Sequence, residues 1–186
     1  PTRPRVVIFG AGLIGTRLAK AWLESNAIVT VVESDLEKAN ILAGSDLGNH
    51  KDIEIIHGDH LDKDLLSEIE ISSQDLAISA LNNDHESIAA VLLASDLGVE
   101  RTGLILYDAD LVNVVRRMGI TFSVDRKRVA IDTILAKIHS ELPGPYAVLS
   151  SVPDVIGICL PVNSNVKFAG KTIADAGLPE WCKVAF

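Results

Sequence analysis

Three glycines near the amino end are spaced to hold a phosphate-bearing ligand. Gly10, Gly12 and Gly15 follow the apolar run "RVVIF" and precede a stretch with helical character, in the order G-x-G-x-x-G. Such a loop turns sharply at its first glycine, lets a pyrophosphate approach the second, and lets the helix pack closely at the third. The helix then points backbone N–H groups at the phosphates. The candidate phosphate-binding loop comprises Gly10, Ala11, Gly12, Leu13, Ile14 and Gly15.

An acidic side chain follows at the spacing of a ribose contact. Glu33 closes the second apolar run, and its separation from Gly15 along the chain is near the ~20 residues expected for an acid that accepts both ribose hydroxyls. Ser34 comes next, and neither position 34 nor position 35 carries a cation that would neutralise a 2′-phosphate. The pattern therefore favours NAD(H) over NADP(H). The alternative is a helix whose glycines serve packing alone, with Glu33 a solvated strand end.

A second polar segment, "GDHLDKDLL" at residues 58–66, begins where the third apolar run ends. Because the carboxyl ends of parallel strands share one edge of a sheet, Asp59 and its neighbour His60 are candidates for the adenosine side of the ligand. Helix capping by Asp59 or Asp62 explains the same residues at least as well. None of the five histidines stands in metal-ligand spacing with an acid on a common helix face, so we expect surface or strand-end roles for them.

A third polar segment, Asn82, Asn83 and Asp84, follows the fourth apolar run. In a doubly wound sheet this strand lies across the point where the strand order reverses, so these side chains would face the phosphates or the distal ribose. Capping of the next helix by Asp84 is the alternative, and the sequence leaves both readings open.

No catalytic group accompanies the candidate dinucleotide site. A hydride-transfer enzyme needs an acid or base beside the nicotinamide, yet Tyr107 is followed four residues later by Leu111 and Tyr146 by Ser150, so the Tyr-x-x-x-Lys pair is absent. The G-x-S-x-G elbow is absent too. The sequence therefore predicts no catalytic or metal-binding residue, and a ligand that is sensed without being consumed. The alternatives are a small NAD-dependent oxidoreductase lacking its substrate domain and a dimerisation module with a vestigial pocket.

The apolar runs that carry these residues alternate with helical stretches. The runs are rich in Val and Ile and show no polar alternation, which is typical of strands covered on both faces. This order predicts an α/β fold with a Rossmann-like doubly wound parallel sheet. Strands are expected at residues 5–9, 28–33, 53–57, 76–80, 104–107 and 120–124, and helices at residues 13–25, 35–43, 62–69, 85–96 and 108–118.

A sixth helix is predicted over residues 126–142, where apolar residues recur at i, i+3, i+4 and i+7 from Ile131. This apolar stripe either caps the sheet or meets a partner chain. The segment "LPGP", residues 142–145, then ends helical structure and marks a boundary. We expect residues 1–142 to form a dinucleotide-binding domain, and residues 146–186 to open a small α+β lobe that is truncated.

Composition limits the classes of function. A chain of 186 residues with 48% hydrophobic residues is long enough for one α/β domain and a small appendage. Its net charge of -8 offers no general attraction for phosphate backbones, so we expect no nucleic-acid partner. No apolar run approaches the ~20 residues of a membrane span. The two cysteines lack CxxC or Cys/His spacing, which suits a reducing cytosol.

Five stretches form a recognisable combination that covers roughly residues 4–142: "VVIFGAGLIGTRLA", "VVESD", "IIHGDHLDKDLL", "NNDHESIAAVLLASDLGVER" and "GITFSVDRKR". Together they resemble the regulator of potassium conductance domains, also called KTN domains, and in particular the nucleotide-binding half of TrkA-like potassium uptake regulators. The tail "NSNVKFAGKTIADAGLPEWCKVAF" is similar to the start of that family's small carboxyl-terminal lobe. The G-D step after the third strand and the N-D step after the fourth go beyond a generic dinucleotide-binding pattern.

The resemblance implies a regulatory domain that binds NAD(H), ATP or ADP. Carried over by position, the three glycines would hold phosphates, Glu33 the ribose and Asp59 the adenosine side, while Asn83 and Asp84 would line the opposite rim. It also implies a homo-oligomeric ring on the cytoplasmic face of a potassium-translocating membrane subunit, with the ligand altering the shape of the ring. The helix over residues 126–142 matches the family's crossover helix, which pairs two domains.

One position departs from the family pattern. Members that hold ATP often carry a basic residue at the end of the fifth strand, whereas this chain has Tyr107 there, followed by Asp108. A γ-phosphate would lack its cation at that position, which puts ATP in doubt and favours NAD(H).

Overall fold

The computed structural model describes residues 3–138, 146–148, 156–158, 169–172 and 175–177. The chain divides into two compact units, Pro1–Val129 and Ala130–Phe186. The boundary predicted at residues 142–145 lies outside the described residues.

The first unit is built around one parallel sheet whose strand order is β3-β2-β1-β4-β5-β6. This is the strand order of dinucleotide-binding domains, and it confirms the predicted doubly wound fold. The strands are β1 (Arg5–Phe9), β2 (Ile28–Glu33), β3 (Ile53–His57), β4 (Leu76–Ser79), β5 (Arg101–Leu106) and β6 (Phe122–Asp125). The helices are α1 (Leu13–Glu24), α2 (Leu36–Ala43), α3 (Lys63–Glu68), α4 (Asp84–Asp96), α5 (Val112–Arg117) and α6 (Arg126–Ile138).

The central strands form because successive apolar side chains are buried on opposite faces of the sheet. In β1, Val6 and Ile8 pack into one core cluster, together with residues of α1. Val7 and Phe9 pack into another cluster, together with residues of α4. The register continues through β2 and β4, which flank β1 on its two sides. The carboxyl end of β1, where the glycine loop begins, therefore lies at the point where the strand order reverses.

The two edge strands differ from the expectation that every strand is covered on both faces. In β3 the side chains are only half-buried or exposed, and β6 likewise has no fully buried residue. Each has a single neighbour in the sheet, β2 for β3 and β5 for β6. Their sequences, IEIIH and FSVD, carry a larger share of polar residues than β1 or β2, in keeping with their greater exposure.

The fifth helical stretch also differs from its prediction as one helix over residues 108–118. A 3-10 turn at Ala109–Leu111 comes first, and α5 follows it. Asp108 starts this turn, since its Oδ1 accepts a hydrogen bond from the Asp110 N–H at 3.0 Å.

In the second unit, β7 (Tyr146–Val148) and β8 (Ile156–Ile158) pair in antiparallel fashion. The remainder of the predicted small lobe lies largely outside the described residues. Along α6, the side chains of Val129, Ile131 and Ile134 are exposed. Within the described part of the chain, we find no helix with the length and apolar character needed to span a bilayer.

Candidate nucleotide-binding site

The glycine loop makes its sharp turn at Gly10. This residue has φ +101°, a conformation that side chains rarely adopt. Its N–H donates to the Val32 carbonyl oxygen at 2.8 Å. A Cβ at Gly10 would lie 3.1 Å from Leu81 Cδ2 and 3.3 Å from the Ala80 carbonyl oxygen. The loop therefore crosses the end of β4 with no room for a side chain.

The other two glycines serve different purposes. A Cβ at Gly15 would overlap the carbonyl oxygen of Gly10, so only glycine lets α1 start this close to the loop. Apart from its two neighbours in the chain, a Cβ at Gly12 would meet no atom of the described residues within 4 Å. The fold does not need glycine at position 12. The space above Gly12 is instead open to a ligand, as expected for the glycine that a pyrophosphate approaches.

The amino end of α1 lacks the cap found on neighbouring helices. Gly12 provides no side-chain cap, and the first turn contains no acidic residue. By contrast, the side chains of Asp35, Asp62 and Asn83 accept N–H groups at the amino ends of α2, α3 and α4. At α2, the hydrogen bond from the Lys38 N–H lowers the pKa of Asp35, because it stabilises the ionised carboxylate. An anion suits the uncapped N–H groups of α1.

Glu33 holds the glycine loop from the end of β2. The side chain is only 5% exposed. Its Oε2 accepts a hydrogen bond from the Ala11 N–H at 2.6 Å, and its Oε1 accepts one from the Asp35 N–H at 2.9 Å. The spacing predicted a ribose contact and did not reveal these bonds. A carboxylate has about four lone-pair positions, so two remain for hydroxyl donors.

The loop after β3 shows which of its two candidate acids, Asp59 or Asp62, caps α3. Asp62 caps α3, with its Oδ1 accepting from the Asp64 N–H at 2.9 Å and the Leu65 N–H at 3.2 Å. Asp59 does not cap the helix. It is exposed, and its Oδ1 accepts the Leu61 N–H at 2.8 Å within the loop.

His60 is buried in the same loop. It is 6% exposed, and neither ring nitrogen has a hydrogen-bond partner among the described residues. The nearest carboxylate oxygen is Glu86 Oε2, 4.0 Å from Nε2, and the Phe9 ring lies 6.4 Å away, centroid to centroid. A buried imidazole without a partner loses its hydrogen bonds to water, which costs stability.

A cleft of about 470 Å³ opens where β2 and β3 end. It brings together three residues that the sequence singled out, Ser34, Asp59 and His60. It also includes Glu86, which reaches the cleft from α4. Glu86 was not among the predicted site residues, because no spacing rule relates the first turn of this helix to the loop after β3. The full lining comprises Ser34, His57, Gly58, Asp59, His60, Leu61 and Glu86.

Asn83 and Asp84, which follow β4, have different roles, and the sequence did not predict which residue has which. Asn83, and not Asp84, caps α4, with Oδ1 accepting from the His85 N–H at 2.9 Å. The buried Asp84 carboxylate instead accepts the Tyr107 N–H at 3.0 Å and the Asp108 N–H at 2.8 Å. Both side chains are therefore bound to backbone N–H groups, Asp84 in a buried position and Asn83 in an exposed one.

Asn82 lies on the exposed rim beside this segment. Its Oδ1 accepts a hydrogen bond from the Tyr107 hydroxyl at 2.8 Å. The Tyr107 ring is in turn covered by the guanidinium of Arg126, with Cζ 4.9 Å from the ring centroid. Arg126 was not among the predicted site residues.

A parallel sheet in this order, with a glycine loop and an uncapped helix where the order reverses, makes the first unit a Rossmann-type nucleotide-binding domain. The family can be stated as well. The chain belongs to the TrkA-N domain family, whose model matches residues 6–125. This confirms the resemblance found in the sequence.

Two curated relatives align with nearly the whole chain. The Trk system potassium uptake protein TrkA homolog of Archaeoglobus fulgidus is 26% identical over 180 residues, which are 97% of this chain and 39% of the relative. The Trk system potassium uptake protein TrkA of Vibrio alginolyticus is 27% identical over 177 residues, 94% of this chain and 38% of the relative. The chain thus spans less than two fifths of the length of these relatives.

Solved structures share the fold at low identity. The TrkA-N domain of the inner membrane protein ybaL from Escherichia coli gives a TM-score of 0.62 at 16% identity, covering 72% of this chain and 96% of that one. The GsuK channel bound to NAD gives 0.58 at 19% identity, covering 69% and 22%. GsuK bound to ADP also gives 0.58 at 19% identity, covering 69% and 32%.

Proposed function

We propose that this chain is a regulatory, non-enzymatic domain that binds an adenine nucleotide and controls potassium transport through a separate membrane protein. The observation that carries the proposal is the open backbone at Gly12 beside the uncapped amino end of α1. NAD(H) is the favoured ligand, and ADP and ATP are alternatives. The names of the relatives, Trk system potassium uptake proteins, support the link to potassium.

In this proposal the glycine loop from Gly10 to Gly15 binds the phosphates through backbone N–H groups. Glu33 keeps its bonds to the loop and uses its remaining lone pairs for the ribose hydroxyls. The cleft that contains Ser34, Asp59 and His60 takes the adenine. Its volume of about 470 Å³ falls within the ordinary range for small-molecule sites.

The control of transport rests on ligand-dependent assembly. We propose a homodimer formed through α6 and its predicted continuation to residue 142, and a ring of such dimers on the inner face of the plasma membrane against a potassium-translocating subunit. The exposed apolar side chains at 129, 131 and 134 support a contact on this helix. A ligand regulates such a ring only if it binds two of its arrangements with different affinity.

The test begins with calorimetric titration of the full chain with NADH, NAD, ADP and ATP. We expect binding of at least one of them, and a weakening of roughly 1–3 kcal/mol in Glu33→Gln, because the amide removes the charge and leaves one oxygen for the ribose hydroxyls and the two backbone N–H groups. Glu37→Gln is the matched control, because Glu37 is an exposed acid on the neighbouring helix.

Two results would count against the proposal. Absence of binding by all four nucleotides would remove the site, and unchanged affinity in Glu33→Gln would remove the ribose contact. Oxidation of NADH with a carbonyl substrate would favour the oxidoreductase instead. For the transport step, deletion of the gene should alter rubidium uptake by the cells, and the chain carrying Gly12→Val should fail to restore it.

A further inference from the structure

A cation and an aromatic ring meet at the carboxyl end of β5. The guanidinium of Arg126, the first residue of α6, lies over the ring of Tyr107 with its Cζ 4.9 Å from the ring centroid. The hydroxyl at the far end of the ring donates to Asn82 Oδ1 at 2.8 Å. This arrangement attaches Arg126 to the rim of the proposed nucleotide site.

The charge of Arg126 is not matched by a carboxylate in the described part of the chain, where no ion pair includes it. The acids nearest to it in the sequence and around Tyr107 are already used by backbone N–H groups. Asp125 accepts from the Lys127 N–H at 2.9 Å, and Asp84 accepts from the Tyr107 N–H at 3.0 Å. Stacking on an aromatic face leaves the five N–H donors of a guanidinium available around its edge.

The position of the pair fits the far end of a bound nucleotide. Glu33 lies on β2, on one side of β1, whereas Asn82 and Tyr107 follow β4 and β5, on the other side. The chain just after β4 lies against the glycine loop, since a Cβ at Gly10 would be 3.3 Å from the Ala80 carbonyl oxygen. A nucleotide with its ribose at Glu33 and its first phosphates at the loop extends towards β4 and β5.

We propose that Arg126, held by the Tyr107 ring, binds the terminal phosphate of ADP or ATP. The inference rests on the proposed nucleotide site and adds a residue from outside the glycine loop. It supplies from the start of α6 the cation that the sequence lacks at the end of β5. Tyr107 is the platform on which this cation rests.

A guanidinium can donate two parallel hydrogen bonds to a phosphate, which makes this contact stronger than one with a neutral donor. AMP ends before the rim, so its affinity should not depend on Arg126. ADP and ATP should depend on it, and ATP most. The signature is therefore a change in the ratio of ATP to AMP affinity rather than a general loss of binding.

The experiment is calorimetric titration of the full chain with AMP, ADP and ATP, in the wild type, Arg126→Gln and Lys127→Gln. Lys127 is the matched control, because it is the next residue, exposed and cationic. We expect Arg126→Gln to weaken ATP binding roughly tenfold or more, with AMP affinity unchanged. Lys127→Gln should change neither.

Equal effects of Arg126→Gln on AMP and ATP, or no effect on either, would overturn the inference while leaving the proposed site in place. Failure of AMP, ADP and ATP to bind the wild type would also overturn the inference, whereas the proposed site itself fails only if NADH and NAD do not bind either. A thermal unfolding curve for Arg126→Gln within about 2 °C of the wild type, which is the expected size for a surface substitution, assigns any loss to binding rather than to misfolding.

Discussion

Two substitutions in the glycine loop should rank in opposite order for fold stability and for ligand affinity. Gly15→Ala, the smaller change, should destabilise the fold more than Gly12→Val. In Gly15→Ala the new methyl group overlaps the Gly10 carbonyl oxygen and lies 3.0 Å from the Gly10 carbonyl carbon. Both obstacles are backbone atoms and cannot rotate away. In Gly12→Val the larger side chain enters space where, apart from the two chain neighbours, no described atom lies within 4 Å of its Cβ.

The magnitudes follow from these contacts. Overpacking costs typically 1–3 kcal/mol, and an overlap with backbone belongs near the top of that range. The higher helix propensity of alanine offsets about 1 kcal/mol of this cost. The free energy of unfolding of Gly15→Ala should therefore be lower than that of the wild type by about 2 kcal/mol. At roughly 2–4 °C per kcal/mol for a chain of this size, the midpoint of unfolding should fall by about 4–8 °C. Gly12 is extended, with φ -67° and ψ -177°, and valine adopts that backbone, so its cost should stay below about 1 kcal/mol.

Ligand affinity should show the reverse order. The isopropyl group in Gly12→Val occupies the space assigned to the pyrophosphate, so ADP and NADH should bind at least about tenfold more weakly, or 1.4 kcal/mol. The assay is thermal unfolding by circular dichroism, followed by calorimetric titration at a temperature where both variants are folded. Gly12→Val that binds like the wild type, or Gly15→Ala that unfolds at the wild-type temperature, would refute the reasoning.

Three further substitutions test single contacts. Asp84→Ala leaves two N–H groups at the end of β5 without their acceptor and should lower the free energy of unfolding in urea by about 2–3 kcal/mol; a loss below about 0.5 kcal/mol would contradict this. His60→Leu should keep or raise the free energy of unfolding, because the buried ring nitrogens have no hydrogen-bond partner among the described residues; a clear loss would argue against this. The side-chain hydrogen bond from Arg3 lowers the pKa of Asp52, so this pair contributes stability above about pH 4 and loses it as the pH falls through the lowered pKa. Asp52→Asn should therefore be less stable than the wild type in urea at neutral pH and equal to it near about pH 2; a difference that persists in acid would rule out the ion pair as its cause.

Most of the fold was predictable because its signals are local. The central strands are continuous apolar runs, and the glycine spacing specifies the turn between β1 and α1. The start of β5 was predicted too late, at residue 104, whereas the strand begins at Arg101. Glycine lowers strand propensity, but the ring of Phe122 on β6 packs over Gly103 in the space of its missing side chain. A contact between residues this far apart in sequence leaves no local pattern.

In the candidate site too, some features follow from local spacing and others depend on contacts between distant residues. The loop and the acid at the end of β2 follow from spacing, whereas their hydrogen bond joins Ala11 to Glu33 across β1 and β2. Asn83 rather than Asp84 caps α4 because Asp84 is drawn to N–H groups at the end of β5. Either side chain could cap a helix by its chemistry, so the choice depends on what lies opposite in the folded chain.

The distribution of charge around the proposed site favours one orientation of a bound nucleotide. The acids Glu33, Asp59 and Glu86 lie on the side of β2 and β3, and the cation of Arg126 lies on the side of β5. The chain as a whole carries a charge of -8, so an anionic ligand needs local compensation, which the amino end of α1 and Arg126 supply. A nucleotide bound in the reverse sense would bring its terminal phosphate against three carboxylates. Repulsion there and attraction at Arg126 favour the same orientation, with the base at the cleft beside β3 and the phosphates directed towards α6.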